Sequence, residues 1–140
     1  MNAISGTVHP FARTSACPGR GAIWTGRILT GLAALFLLMD ATMKVLELAP
    51  AVEGTMQLGY PASAIQGIGV LQLALLVAYL VPRTSLLGAV LWTGYLGGAI
   101  ATHVRVGSPL FTHTLFPIYV AALIWGGLWL RDTRLRAALR

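Results

Sequence analysis

In a chain with few charges, the segment FLLMDATMKVLEL (36–48) carries an acid, a base and a second acid. Asp40 and Lys44 stand at i and i+4 with the acid nearer the N-terminus, the favourable order for a pair on one helix face. Glu47 follows at i+3 from Lys44 on much the same face, so the lysine is expected to serve both carboxylates. Such groups hold an ion pair, bind a proton or cation, or present hydrogen-bonding atoms to a polar ligand. Which of these applies depends on the medium around the segment.

That medium is a bilayer. The 140 residues are 56% hydrophobic and 10% charged, with a mean hydropathy of +0.76, a composition of integral membrane proteins. Apolar runs at about 23–48, 64–81, 86–102 and 110–130 each approach the roughly 20 residues that carry a helix across the hydrocarbon. Soluble helices would show a polar stripe and barrel strands would alternate; the later runs do neither. The chain therefore reads as an all-α membrane protein, a four-transmembrane-helix bundle over residues 21–140 preceded by a mobile polar tail over residues 1–20. Pro50 and Gly59-Tyr60-Pro61 close the first link, Ser63 is placed to cap the second helix, Pro82-Arg83-Thr84-Ser85 makes a hairpin, and Gly107-Ser108-Pro109 breaks the third link. Pro117 marks a kink or a late start of the last helix. The single Cys17 permits no internal disulfide, and no apolar stretch precedes it as a secretory signal requires.

The net charge of +6 does not indicate nucleic acid, because the basic residues stand at the ends of apolar runs and not in a patch interleaved with aromatics. With four spans, every Lys and Arg except Lys44 and Arg105 falls on one side, and the positive-inside rule makes that side cytoplasmic. Both termini are then inside. Trp24, Tyr79, Trp125 and Trp129 lie near the same side, as an aromatic belt would.

In this frame the opening segment is the outer end of the first helix. Counting from Ile28, Asp40 lies roughly 18 Å and Lys44 roughly 24 Å into the span. Lys44 reaches the interface by snorkelling, whereas an acid at the depth of Asp40 costs about 2.5–3.5 kcal/mol unless paired. The topology brings Gln72, His103 and Arg105 to a similar level. Asp40, Lys44, Glu47, Gln72, His103 and Arg105 are thus the candidate site, with two alternative readings: a structural ion-pair network of Asp40, Lys44 and Arg105, and interfacial charge that merely snorkels. The spacing of His103 and His113 suits no metal, and no metal site is expected. Gly94 and Gly98 form a GxxxG, read first as helix packing within the bundle and second as a contact in a homo-oligomer.

The order of these motifs carries a family resemblance. Asp40 with Met43-Lys44 closes the first helix; Leu58-Gly59-Tyr60-Pro61, Leu80-Val81-Pro82-Arg83 and Gly97-Gly98-Ala99-Ile100-Ala101-Thr102-His103-Val104-Arg105 follow. The pattern, from about Ile28 to Leu130, resembles the DoxX-like family of small four-helix membrane proteins. The resemblance implies a compact bundle in a bacterial cytoplasmic membrane. The wider group is named for a membrane subunit associated with quinone-linked thiosulfate oxidation. This chain shows no haem-binding pair, no Cys-x-x-Cys and no flavin fingerprint, so an oxidoreductase role would rest on that analogy alone.

Three functions follow as expectations. The first is an accessory or quinone-interacting subunit of a membrane redox-linked complex, with partner subunits in the bilayer. The second is a small transporter or permeation protein with a polar site near Asp40. The third is a packing or assembly protein without a ligand.

Overall fold

The computed structural model describes residues 19–132 and 135–136. Apart from Gly19 and Arg20, the expected mobile tail lies outside the described residues. The helices are α1 (Arg20–Val45), α2 (Ala49–Gln57), α3 (Ala62–Leu80), α4 (Ser85–Arg105) and α5 (Phe116–Arg131), with one π-helical turn, Leu110–Thr114, before α5. Among the described residues, four stretches are long and apolar enough to cross a membrane: α1, α3, α4 and the combined Leu110–Arg131. Large apolar side chains remain outside, among them Leu35 at 68% and Val77 at 62% exposure, the all-round hydrophobicity of helices that face lipid.

Helix α1 packs against α3 and α5, and α4 packs against the same two. Helices α1 and α4 therefore lie on the diagonal of the bundle. At the end rich in arginine neighbouring helices are drawn together by small residues. A Cβ on Gly26 would lie 2.8 Å from Leu130 Cβ, one on Gly127 would lie 2.6 Å from Thr30 Oγ1, and one on Gly88 would strike the Tyr79 backbone. Tyr79 is wholly buried. It donates to the Ile124 carbonyl at 3.0 Å and receives Thr30 Oγ1 at 3.3 Å, while Arg131 lies over its ring, 5.1 Å from the centroid. The belt expectation is thus corrected for Tyr79, which is core because its hydroxyl finds partners inside. Trp24 and Trp129 are exposed, and Trp125 donates Nε1–H to Thr93 Oγ1 at 2.9 Å.

The opposite end departs from the sequence reading in its first link. Helix α1 stops at Val45, short of the expected residue 48, and the chain folds a further helix, α2, from what reads as a loop. Pro50 lies in the first turn of α2, where a missing N–H costs nothing. Gly59, at φ 84, ends it: Gly59 N–H bonds Met56 O at 2.8 Å and Tyr60 N–H reaches Thr55 O at 3.4 Å, a Schellman cap. Ser63 lies inside the first turn of α3, which has no side-chain cap. Helix α4 runs on through Arg105 and closes on Gly107 at φ 68, with Ser108 N–H on His103 O at 3.0 Å. Helix α5 begins just before Pro117, a late start after the π turn.

Candidate functional site

Between α1 and α4, at the end away from the arginines, the bundle opens into a cleft of about 830 Å³. The face of α1 supplies Phe36, Leu37, Asp40 and Lys44; α3 supplies Ile68, Leu71 and Gln72; α4 supplies Trp92, Tyr95, Leu96, Ala99, Thr102 and His103. Each set repeats at the three- and four-residue intervals of a helix face. Residues of α2, from Pro50 to Gln57, form another wall. Phe36 and Phe116 meet edge to face at 5.2 Å, bridging α1 and α5, and Trp92 meets Tyr95 likewise at 5.3 Å within α4.

The polar wall is built around Asp40. Lys44 Nζ donates to Asp40 Oδ2 at 2.5 Å, and Gln72 Nε2 donates to the same oxygen at 2.6 Å. Gly69 permits this: a Cβ there would lie 2.8 Å from Val45 N and 2.9 Å from Lys44 Cβ, so only glycine lets α3 approach closely enough for Gln72 to reach across. The Tyr95 hydroxyl lies beside Gln72 and within electrostatic range of Asp40 and Tyr60. Tyr60 and Thr102 share a hydrogen bond of 3.1 Å; since Thr102 Oγ1 donates to Gly98 O at 2.9 Å, the phenol is the donor between them. At the rim, His103 Nδ1 bonds Ser108 Oγ at 3.0 Å, and its ring lies 5.9 Å from that of His113.

Two buried atoms on the lining lack a partner. Gln72 is 2% exposed and Trp92 fully buried, yet Gln72 Oε1 and Trp92 Nε1 make no hydrogen bond. An unsatisfied buried polar atom costs about 1–3 kcal/mol.

The structure gathers Asp40, Lys44, Gln72 and His103 around one cleft and leaves two of the candidates out. Glu47 is exposed and has no ion-pair partner among the described residues, because α1 ends before it and the chain turns through φ 50 at this residue. Arg105 points away from Asp40; its Nη2 donates to Leu58 O at 2.8 Å, tying α4 to the end of α2, beside a smaller recess with Gly59 and Tyr60. Gly94 and Gly98 make no tight contact within the bundle. A Cβ at either would touch nothing within 4 Å; both line the cleft, and the tight helix contacts belong to Gly26, Gly69, Gly88 and Gly127. No cluster of three or more metal-ligating side chains occurs among the described residues. Sequence reading missed Tyr60, Trp92, Tyr95 and Thr102. The period joining Trp92, Tyr95, Ala99, Thr102 and His103 was the available signal.

Four apolar spans around a polar cleft define a multi-pass membrane protein with a cavity inside its bundle. The chain belongs to the DoxX-like family, whose profile matches residues 28–127, a stretch that contains every cleft residue named above. No curated protein and no solved structure matches it.

Proposed function

We propose that the cleft binds the ring of a quinone and that the protein serves as a quinone-interacting or accessory subunit of a membrane redox-linked complex. The observation that carries this reading is the cleft itself. It has about 830 Å³ of space, within the range of small-molecule sites, with aromatic walls from Phe36, Trp92 and Phe116 and a compact polar group at Asp40, Lys44 and Gln72. A quinone pairs a flat ring and polar carbonyls with an apolar tail; the ring suits the aromatic walls, and the tail can lie along exposed apolar helix faces in the bilayer. His103, at the rim beside Ser108, is placed to exchange a proton between a bound quinol and water. In this role a partner subunit would carry the electrons to or from the bound ring. The closely packed arginine end argues against the permeation alternative, since a pathway would have to breach Tyr79 and the glycine contacts.

The orientation belongs to the same proposal: both termini on the cytoplasmic side of a bacterial inner membrane, with the cleft toward the outer face. A reporter active only in the cytoplasm, fused after Arg140, is expected to work, and the same reporter in the Gly107 link to stay silent; the reverse result overturns the orientation. For the ligand, purified protein is expected to bind a short-chain quinone saturably, and Gly98→Leu, which projects a side chain into the cleft, to abolish that binding without unfolding the bundle. An absence of saturable binding in the parent chain removes quinone and leaves an assembly role.

A further inference from the structure

Resting on the quinone reading, we infer that the cleft opens sideways to the bilayer through a gap between α3 and α4. The site then takes a ring carrying a long apolar tail, admitted from the membrane, with the tail left lying in the gap.

The direction in which side chains leave the two helices locates the opening. On α3, Gly69 abuts Val45 and Gln72 bonds Asp40, so that flank faces α1. Leu71 turns about 100° away from Gln72, toward α4. It lines the cleft and is still 50% exposed. On α4, Thr93 faces α5, since its Oγ1 takes the Trp125 Nε1–H at 2.9 Å. Gly94 and Gly98 turn about 100° and 140° from Thr93. Thr102, one turn beyond Gly98, meets Tyr60 at the entry to α3, so the two glycines lie on the α3 side. Both line the cleft, both are exposed, and a Cβ on either meets nothing within 4 Å.

The gap has a frame. At one end α3 and α4 are clamped where a Cβ on Gly88 would strike the Tyr79 backbone. At the other, Tyr60 bonds Thr102 at 3.1 Å and Arg105 Nη2 bonds Leu58 O at 2.8 Å. About 21 Å of helix separates Gly88 from Thr102. Antiparallel pairing from the clamp sets Leu71 level with Gly94 to Gly98, near the middle of α4. The other flank of α4 is bridged by Trp125 and by the π turn, which packs on both α4 and α5. A gap edged by Leu71 and two glycines passes a hydrocarbon chain without burying a polar group. At mid-span it meets lipid tails. The tail stays in apolar surroundings whether free or bound, so it adds little affinity of its own; the gap acts by giving it room.

The test uses purified full-length protein in one detergent and measures two ligands by calorimetry: a benzoquinone without a side chain, and the same ring with a decyl tail. Gly94→Leu obstructs the gap, and Leu71→Phe obstructs it from the other side. Gly97→Leu is the control: the same side chain on the same helix, at an exposed residue outside the cleft lining where a Cβ also meets nothing. In both obstructed variants the affinity for the tailed ring is expected to fall about tenfold further than that for the bare ring. In Gly97→Leu both affinities are expected to stay within about twofold of the parent's. Equal losses of the two ligands in the obstructed variants, no loss in either, or the same tail-selective loss in Gly97→Leu overturns the gap and leaves the quinone reading standing. So does a parent chain that binds the bare ring and refuses the tailed one. If the parent binds neither, the quinone reading fails and the inference with it.

Discussion

The two ends of the bundle use the same four spans to opposite effect. At the arginine end, Gly26, Gly88 and Gly127 bring backbones into contact, and Tyr79, buried there, has partners for its hydroxyl, while Arg136 Nε and Nη2 are buried there without a hydrogen bond. At the other end the glycines on α4, Gly94 and Gly98, face empty space, and polar atoms on Gln72 and Trp92 remain unmatched. In lipid no hydrophobic force presses helices together, so close approach has to come from small residues and interhelical hydrogen bonds. The lesson is that a glycine on a spanning helix marks either a contact or a cavity, and the partner helix decides which.

The sharpest way to break this comparison is to add one methyl group at each end. At Gly88 the new carbon would strike the Tyr79 main chain, which cannot yield as a flexible side chain would. Gly88→Ala is expected to cost about 3 kcal/mol, the upper part of the overpacking range. Gly98→Ala meets nothing within 4 Å and is expected to be neutral or slightly stabilising, since alanine is the better helix former. Thermal denaturation of the two variants in one detergent decides it; equal losses would mean that the α4 glycines also pack, against a second copy.

Removing a hydroxyl sharpens the same contrast at smaller scale. Tyr79→Phe leaves the Ile124 carbonyl and Thr30 Oγ1 without their buried partner and is expected to cost about 2 kcal/mol. Tyr60→Phe breaks a bond to Thr102 at the cleft, where Thr102 keeps its own acceptor on Gly98, and is expected to cost about 0.5 kcal/mol. Chemical denaturation would show the difference in midpoint; a larger loss at Tyr60 would mean that the cleft end carries the fold.

The ion pair comes next. Asp40 keeps a third of its side chain exposed, and Lys44 much less, so the energy of a fully buried pair does not apply. Lys44→Met, Asp40→Asn and the double variant are expected to show a coupling of about 1 kcal/mol. Strict additivity of the losses would mean that the 2.5 Å contact contributes nothing and that Gln72 alone holds the carboxylate.

Much of the fold was legible because the bilayer imposes a length. Four runs near the spanning limit give four helices, and the pairing of Asp40 with Lys44 follows from their spacing on one helix. What sequence spacing could not supply was the end of α1. The reading that joined Glu47 to Lys44 assumed that the helix continued, and the stop at Val45 is made by backbone bonds in the link, which leave no hydrophobic trace. Helix α2 was hidden for a related reason. Its signals were Pro50 inside a first turn and Gly59 just past the end, both of which also describe a loop. Arg105 was grouped with Asp40 by depth alone, and depth does not say which way a side chain leaves its helix. The unmatched atoms of Gln72 and Trp92 emerge only once the helices are packed.

The smallest effect concerns Glu47, and it separates its sequence reading from its structural one. Three links at the cleft end turn through a left-handed residue: Gly59, Gly107 and Glu47. Each makes the same cap, and at Glu47 it consists of Glu47 N–H on Lys44 O at 3.2 Å and Leu48 N–H on Met43 O at 2.9 Å. Glycine adopts this conformation freely, whereas a side chain there costs about 1–2 kcal/mol. Replacing Glu47 by glycine removes that strain but loosens the unfolded chain, which returns about 0.4–1 kcal/mol. The net expectation for Glu47→Gly is a gain of about 0.5 kcal/mol, seen as a small rise in Tm, with ligand binding unchanged. If Glu47 instead served Lys44, as its spacing suggests, the variant would lose stability and weaken the Asp40–Lys44 coupling. The sign of the shift therefore decides between a carboxylate that belongs to the site and one that only occupies a turn.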